Sequence, residues 1–348
     1  MVRNFFVNID LHILSAYNRL GGDGMTMREL AKLANVSVST VSKAFHGAKD
    51  ISKETKEHVF SVAKQYGCYG RFYQGKYDKK VIAVICPELA GEFYSTFTEL
   101  LQRMIEKAGC ICTISTDHFL PEAQAQLIEY YSEYLKVDGI LVFDLQTKLK
   151  KGYTTPIVSL YSSRDMTADC VGIDVKSAII DAIHLLMEHG HSKIAFLGEK
   201  LTTLKAQYFY EAATDLLQDE PQIITSHFRF EQAGEDCITQ LDSDATALIC
   251  AYDNIAFGAI KALQAKGLQV PQDISVVGID NAPMGQYAST TLTTIDTKPE
   301  EVCTIAWELL QKKMESPYYK SPQSISIRSG LIVRDSVGLA NIKKDLPV

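Results

Sequence analysis

From residue 81 onward the chain alternates short apolar runs with amphipathic stretches, and few architectures accept that pattern. VIAVICP, CICTIS, DGILVFD, PIVSLY, KIAFLG, TALIC and ISVVGID each read as buried strands, with QIITSH a weaker one. Between them the helical period predicts helices over 93–108, 121–135, 174–189, 203–217, 230–241 and 254–266, the last stopped by Gly267. Strands that are apolar on both faces and alternate with helices make parallel sheets with covered faces. The strands are numerous enough for two such sheets. With 348 residues there is room for them and for a small additional module.

That module occupies residues 25–67. Thr26-Met-Arg-Glu29 has the form of a capping box, and Leu30, Ala31, Leu33 and Ala34 follow at helical spacing. Asn35 suits a left-handed turn, since its short polar side chain tolerates positive φ. Ser37 is placed to cap a second helix over 38–45, and Ser52 a third that Gly67 closes. Two short helices joined by a tight turn, with a third behind, form a helix-turn-helix unit.

Charge sets this module apart. Residues 25–80 hold 11 Lys/Arg against 5 Asp/Glu, a balance of +6, whereas residues 81–348 hold 22 against 35, a balance of −13. A basic head on an acidic body is the footprint of nucleic-acid binding. No run of 18 apolar residues is present, so no membrane-spanning helix is expected and the cytoplasm is the expected location. None of the eight cysteines forms a Cys-x-x-Cys pair, and several lie in strand-like runs, as buried reduced thiols do. Cys110 and Cys112 share a strand face without a histidine cluster, so no metal and no cofactor is assigned. His184, His189 and His191 lie on and after one helix, with no nucleophile elbow or zinc pattern beside them, and no catalytic residues are expected.

Residues 1–24 do not make a signal peptide, because Asp10 and His12 interrupt the apolar stretch. Gly21-Gly22-Asp23 can be encoded GGA-GGU-GAU, which reads as a bacterial ribosome-binding site ahead of Met25. The expectation is a natural start at Met25, with 1–24 a non-native or disordered leader.

AKLANVSVSTVSKAFHG resembles the DNA-reading headpiece of the LacI/GalR family of bacterial repressors. Val36, Ser37, Thr40, Val41, Ser42 and Gly47 match its pattern; Lys43 stands where Arg is usual, and His46 where Asn is usual. Farther on, HGHSKIAFLG, TALICAYDNIAFGAIKALQAKGLQVPQDISVVGIDN, LTTID and LIVRDS are similar to that family's later segments, so the resemblance runs from Thr26 to Gly338. It implies an α/β chain with an N-terminal helix-turn-helix headpiece and a two-lobed, periplasmic-binding-protein-like core with parallel sheets. The expected domains are the headpiece at 25–67, a hinge or linker at 68–80, the ligand-binding and dimerisation core at 81–338, and a tail at 339–348. Lobe 1 is expected at about 81–161 and 297–322, and lobe 2 at about 162–295 and 323–338, with crossings near 161–165, 295–297 and 321–323. In the family the linker forms a hinge helix that wedges a Leu into the minor groove. Here Gly70 replaces the family's Pro, Gly75 interrupts, and no Leu is present. Arg71, Lys76, Lys79 and Lys80, interleaved with Phe72, Tyr73 and Tyr77, suit either a phosphate-tracking arm with an aromatic wedge or a plain flexible linker.

The resemblance also names candidate sites. Lys43 is the expected base reader, on a face shared with Ser39 and His46, and Val38 and Ser39 occupy the family's variable specificity positions. Thr26, Ser37, Thr40 and Ser42 are expected phosphate anchors or caps, with Arg71 in the arm. Between the lobes, Asp280 matches an acidic contact to ligand hydroxyls, Lys205 falls where the family has Arg, and Tyr252 replaces its Asn. Phe93, Tyr94 and Tyr161 add flat surfaces. The implied protein is a homodimeric repressor of sugar-utilisation genes on double-stranded operator DNA, with a small neutral carbohydrate as effector and no membrane partner. A nucleobase or nucleoside effector, or a solute-binding module with no DNA role, are the competing readings.

Overall fold

The computed structural model describes residues 25–48, 50–72, 79–150, 152–165, 167–218, 220–316 and 321–341. The expected leader lies outside them, as do Tyr73, Gly75, Lys76 and Tyr77 of the expected linker and 342–348 of the tail. The chain divides into two compact units, Met1–Asp78 and Lys79–Val348.

In the first unit, α1 (Met27–Leu33) starts on a complete capping box: the Thr26 hydroxyl accepts from the Glu29 amide at 3.3 Å, and the Thr26 amide donates to the Glu29 carboxylate at 2.7 Å. Asn35 takes φ +49° at the turn. The Ser37 hydroxyl accepts from the Thr40 amide at 3.0 Å and opens α2 (Val38–His46), which ends on Gly47 at φ +68°. Ser52 caps α3 (Lys53–Gln65). Leu30, Val41, Ala44, Phe45, Val59 and Ala63 form the core.

The linker begins later than expected. Tyr69–Phe72 forms a single helical turn, α4, whose rings close on this core: Phe45 lies 5.8 Å from Tyr69 and 5.7 Å from Phe72, centroid to centroid. Cys68 and Phe72 are buried. Burying a Phe side chain is worth roughly 1.5–3 kcal/mol, which fastens 68–72 to the headpiece rather than leaving it as linker. Phe72 is thereby spent on packing and does not serve as a wedge.

The second unit runs β1 (Val81–Cys86), α5 (Glu92–Lys107), β2 (Ile111–Thr116), α6 (Pro121–Glu129), β3 (Gly139–Leu145), β4 (Ile157–Ser163) and β5 (Asp169–Asp174). It continues through α7 (Val175–Glu188), β6 (Ile194–Gly198), α8 (Leu204–Leu217), β7 (Ile223–Thr225), α9 (Phe230–Cys237), β8 (Ala247–Cys250), α10 (Asp253–Ala265) and β9 (Ser275–Ile279). Last come β10 (Thr293–Asp296), α11 (Pro299–Glu315), β11 (Ser324–Arg328) and β12 (Gly330–Ile332). Among the described residues these strands make two six-stranded sheets, ordered β11-β5-β4-β3-β1-β2 and β12-β10-β9-β8-β6-β7. All neighbours pair in parallel except β10 with β12.

Two of the expected crossings move. After β4 the chain pairs back onto the same sheet as β5, Val158 with Asp169 and Tyr161 with Gly172, so lobe 1 continues to Asp174 rather than ending near 161–165. Likewise 321–323 leads into β11, which pairs with β5 from Ser324 with Cys170, and the third crossing falls at Ser329. The second crossing leaves β10 at Asp296 and enters α11, which packs on α5 and the first sheet. β5, α11 and β11 are not among the expected elements. The helix expected over 121–135 gives way after Glu129 to one π-helical turn, Tyr130–Tyr134. That expected over 230–241 stops at Cys237, where Thr239 and Gln240 tighten to i→i−3 bonds.

α9 and α10 touch backbone to backbone. A Cβ on Gly258 would lie 1.8 Å from the Glu231 carbonyl oxygen, and one on Gly234 2.0 Å from that of Ile255. This contact sets where the start of α9 stands over the second sheet.

Candidate functional site

In the headpiece, Val38, Ser39, Lys43 and His46 are exposed on α2, and positions 39, 43 and 46 follow the i, i+4, i+7 spacing of one helix face. Thr40 and Ser42 are half-buried. The hydroxyl of Ser37 is engaged at the helix start, 2.7 Å from that of Ser39 and 2.8 Å from that of Thr40. Thr26 is likewise engaged as a cap. The Lys43 ammonium donates to Asp50 at 2.5 Å, and this hydrogen bond draws the Asp50 carboxyl below its usual range. His46 Nδ1 lies 2.8 Å from the Ser42 carbonyl, which leaves the other edge of the ring outward. Arg71 falls on α4, but its side chain lies outside the described residues. A helix displaying a hydroxyl, an ammonium, an imidazole and a small apolar group can enter a major groove and meet base edges.

In the core, a cavity of about 450 Å³ opens where the carboxyl ends of the two sheets face each other. One wall comes from the β1–α5 loop and the start of α5, with Glu88, Gly91, Glu92, Phe93 and Tyr94, and from Phe119 after β2. The opposite wall has Phe228, Arg229 and Phe230 at the start of α9, Tyr252 and Asn254 after β8, and Asp280 after β9. The walls meet at the mouth. Arg229 pairs with Glu88, and the Phe230 ring covers Gly91, where a Cβ would come within 2.7 Å of it.

Of the ligand-site residues named from sequence, Phe93, Tyr94, Tyr252 and Asp280 line this cavity; Tyr161 and Lys205 do not. Tyr161 stands behind Phe93, edge to face at 5.7 Å. Lys205 is buried: its ammonium donates to the Ala251 carbonyl at 2.8 Å and lies 3.8 Å from the Tyr252 ring centroid. It supports the Tyr252 ring from behind. The Tyr252 hydroxyl donates to Glu199, a residue the sequence did not single out.

Asp280 holds the most demanding position. It follows β9 at φ +123°, and its Oδ1 is buried without a hydrogen-bond partner. Burial pushes its carboxyl well up, against the pull of Lys205, and Asp253, Glu199 and Glu92 push it further. A non-glycine residue at such a φ costs about 1–3 kcal/mol and needs support from its surroundings. Asp253 provides it, accepting from the Ala282 amide at 2.6 Å and the Thr294 hydroxyl at 2.6 Å, while Arg334 donates to Asn281 at 2.8 Å. Across the cavity Tyr94 donates to Asp144 at 3.4 Å and Ser162 donates to it at 2.7 Å; burial pushes Asp144 up to about 6. Glu92 is raised by burial and then by Glu231. Glu88, Glu92, Asp144, Glu199, Phe119, Phe228, Arg229 and Phe230 were all missed from sequence. The cluster Phe228-Arg229-Phe230 was the one signal, two rings around a cation where a helix begins.

Residues 26–69 match the family described as bacterial regulatory proteins, lacI family, and residues 183–337 match the periplasmic binding protein-like domain. The HTH-type transcriptional repressor PurR of Vibrio atlanticus is 26% identical, over 83% of this chain and 92% of its own length. The ribose operon repressor of Haemophilus influenzae is 25% identical, over 90% of this chain and 98% of its own. A LacI family transcriptional regulator from Enterococcus faecium, solved with bound ribose, superposes with a TM-score of 0.65 at 23% identity, covering 75% of this chain and 100% of its own. At that identity the structural likeness bears on the fold.

Proposed function

Because the chain belongs to the lacI family of bacterial regulatory proteins, we propose that it represses transcription from an operator read by α2 and is switched by a carbohydrate held between its lobes. The observation that carries the effector reading is the buried, unpartnered Oδ1 of Asp280 on a cavity walled by aromatic rings. A carboxylate accepts two hydroxyl donors at once, and ring faces stack on the apolar side of a pyranose. The ribose held by the Enterococcus faecium neighbour supports a ligand of this class. The protein acts as a cytoplasmic homodimer, two copies of α2 entering successive major grooves of a pseudo-palindromic site. Ligand that favours one angle between the lobes shifts the population of DNA-competent heads by its differential affinity. Lys43 reads a base, Val38, Ser39 and His46 border it, and Thr26, Ser37, Thr40 and Ser42 hold the backbone.

A mobility-shift assay on the protein's own upstream DNA, with and without a carbohydrate panel, tests this. Operator binding that some carbohydrate alters is expected. Asp280→Asn should keep the fold and weaken that ligand by about 1.5–3 kcal/mol, the worth of a hydrogen bond to a charged group. A nucleoside or nucleobase that alone moves the equilibrium would overturn the carbohydrate assignment.

A further inference from the structure

The cavity holds more acid than a neutral ligand needs. Three carboxylates line it, Glu88, Glu92 and Asp280, and Arg229 is the one cation among the lining residues. Arg229 is already paired with Glu88. Asp144 and Glu199 stand directly behind the rings, hydrogen-bonded to Tyr94 and Tyr252. The counterweight is Lys205, whose ammonium is held on the Ala251 carbonyl behind the Tyr252 ring. Around this acid stand Phe93, Tyr94, Phe119, Phe228, Phe230 and Tyr252. Phe119 and Phe228 are nearly half exposed although each is a large apolar side chain beside a cavity. Aromatic faces are electron-rich and attract a cation, most strongly where water is excluded, and buried carboxylates gain most from an ammonium partner.

Resting on the effector reading above, we propose that the ligand is a cationic carbohydrate, an amino sugar whose ammonium lies against Asp280 and Glu92 while its ring stacks between the aromatic walls. This departs from the neutral sugar expected from sequence, where Glu92 and the carboxylates behind the rings carried no signal. Asp280 and Glu92 come from opposite lobes, so an ammonium between them attracts both walls and favours the closed arrangement. The groups facing Asp280 are Lys205 on α8, Asp253 on α10, Glu199 after β6 and Glu92 on α5, three of them acidic. Entry of a cation among them favours the ionised form of Asp280 and Glu92, the carboxyls that burial raises, so binding releases protons. A neutral sugar gives no such release.

The test is calorimetry on the full chain with hexosamines, their N-acetyl derivatives and the parent hexoses in gluco, galacto and manno configurations. Each is titrated at pH 6 in two buffers of different ionisation enthalpy. The expected result is one hexosamine binding at least tenfold tighter than its neutral partners, with net proton release. Glu92→Gln should cut that preference to threefold or less while thermal melts show the fold intact. Equal or tighter binding of a neutral hexose overturns the charge assignment and leaves the carbohydrate reading standing. Silence toward the whole panel, with operator binding that no sugar alters, overturns both.

Discussion

Gly258→Ala is the sharpest probe of how the cavity wall is built. The new Cβ would stand 1.8 Å from the Glu231 carbonyl oxygen, and ordinary contact begins at 3.4 Å, so α9 must retreat by about 1.6 Å. The obstacle is backbone, with no rotamer to turn aside. Replacing Gly by Ala inside a helix gains about 1 kcal/mol in propensity, while forcing an extra methyl into a packed interface costs about 1–3 kcal/mol. Because the whole of α9 has to shift, the upper part of that range applies and strain wins by about 1–2 kcal/mol. For a unit of this size that lowers the midpoint of thermal unfolding by about 2–8 °C. The displacement also carries Arg229 and Phe230 off Glu88 and Gly91, so effector affinity falls with stability. Scanning calorimetry and titration of the effector read the two effects. An unchanged or raised midpoint would show that the helices part freely and that propensity alone matters.

Other outcomes follow from the headpiece and from buried acid. Lys43→Ala should relax preference at one operator position and weaken each half-site by about 1–3 kcal/mol, read by anisotropy on single-base operator variants; uniform weakening would make Lys43 a phosphate contact. Asp50→Asn frees the Lys43 ammonium and should raise affinity for non-specific DNA at low salt, whereas no change would mean the ion pair exerts no hold. Phe72→Ala removes a ring from the Phe45 cluster and should cost the headpiece about 3–5 kcal/mol, visible as faster amide exchange in α2 and α3; unaltered exchange would place Phe72 outside the fold. Burial pushes Asp144 and Asp253 each up to about 6, above the unfolded value near 4. The native state then binds more protons than the unfolded chain between those values, so stability falls as pH rises from about 4 to 6. Without ligand the change in melting midpoint from pH 5 to pH 7 should be more negative in the parent chain than in Asp253→Asn, while His191, lowered by burial, acts in the opposite sense in both; identical profiles would mean that the Asp253 carboxyl is ionised when buried.

What could be read from the sequence was whatever local chemistry decides. Thr26, Ser37 and Ser52 announce their helices because a cap is satisfied within three residues, and Asn35 announces its turn because its short polar side chain tolerates the φ of +49° found there. The largely apolar strands β1, β3, β8 and β9 are plain. β5 is not, since Asp-Cys-Val-Gly-Ile-Asp is buried at alternate positions only in its first half and mimics a loop. α11 carries legible ends, Pro299 in its first turn with Glu300 and Glu301, and Lys312 and Lys313 in its last. The cavity was half legible. Tyr252 and Asp280 follow recognisable strands, whereas Phe119 reaches the mouth from a turn at φ +61° and Phe230 from the first position of α9 at φ +54°. A Phe between strands reads as core until the tertiary fold decides which way the backbone turns it.

The three crossings between lobes lie abreast. Asp174 is the ladder partner of Arg328, Gly330 is that of Asp296, and only Ser329 separates the two pairs. Strands in a ladder are about 4.8 Å apart, so the chain passes from lobe to lobe along one narrow row. A body joined at a single point can swing and spin in any direction; one joined at three points in a line keeps a single soft coordinate, bending about that line. Shear and twist would each stretch one connection while slackening another. Different ligands in the cavity therefore select different distances along the same arc, and a compound with unrelated contacts can still act as antagonist simply by stopping the arc short.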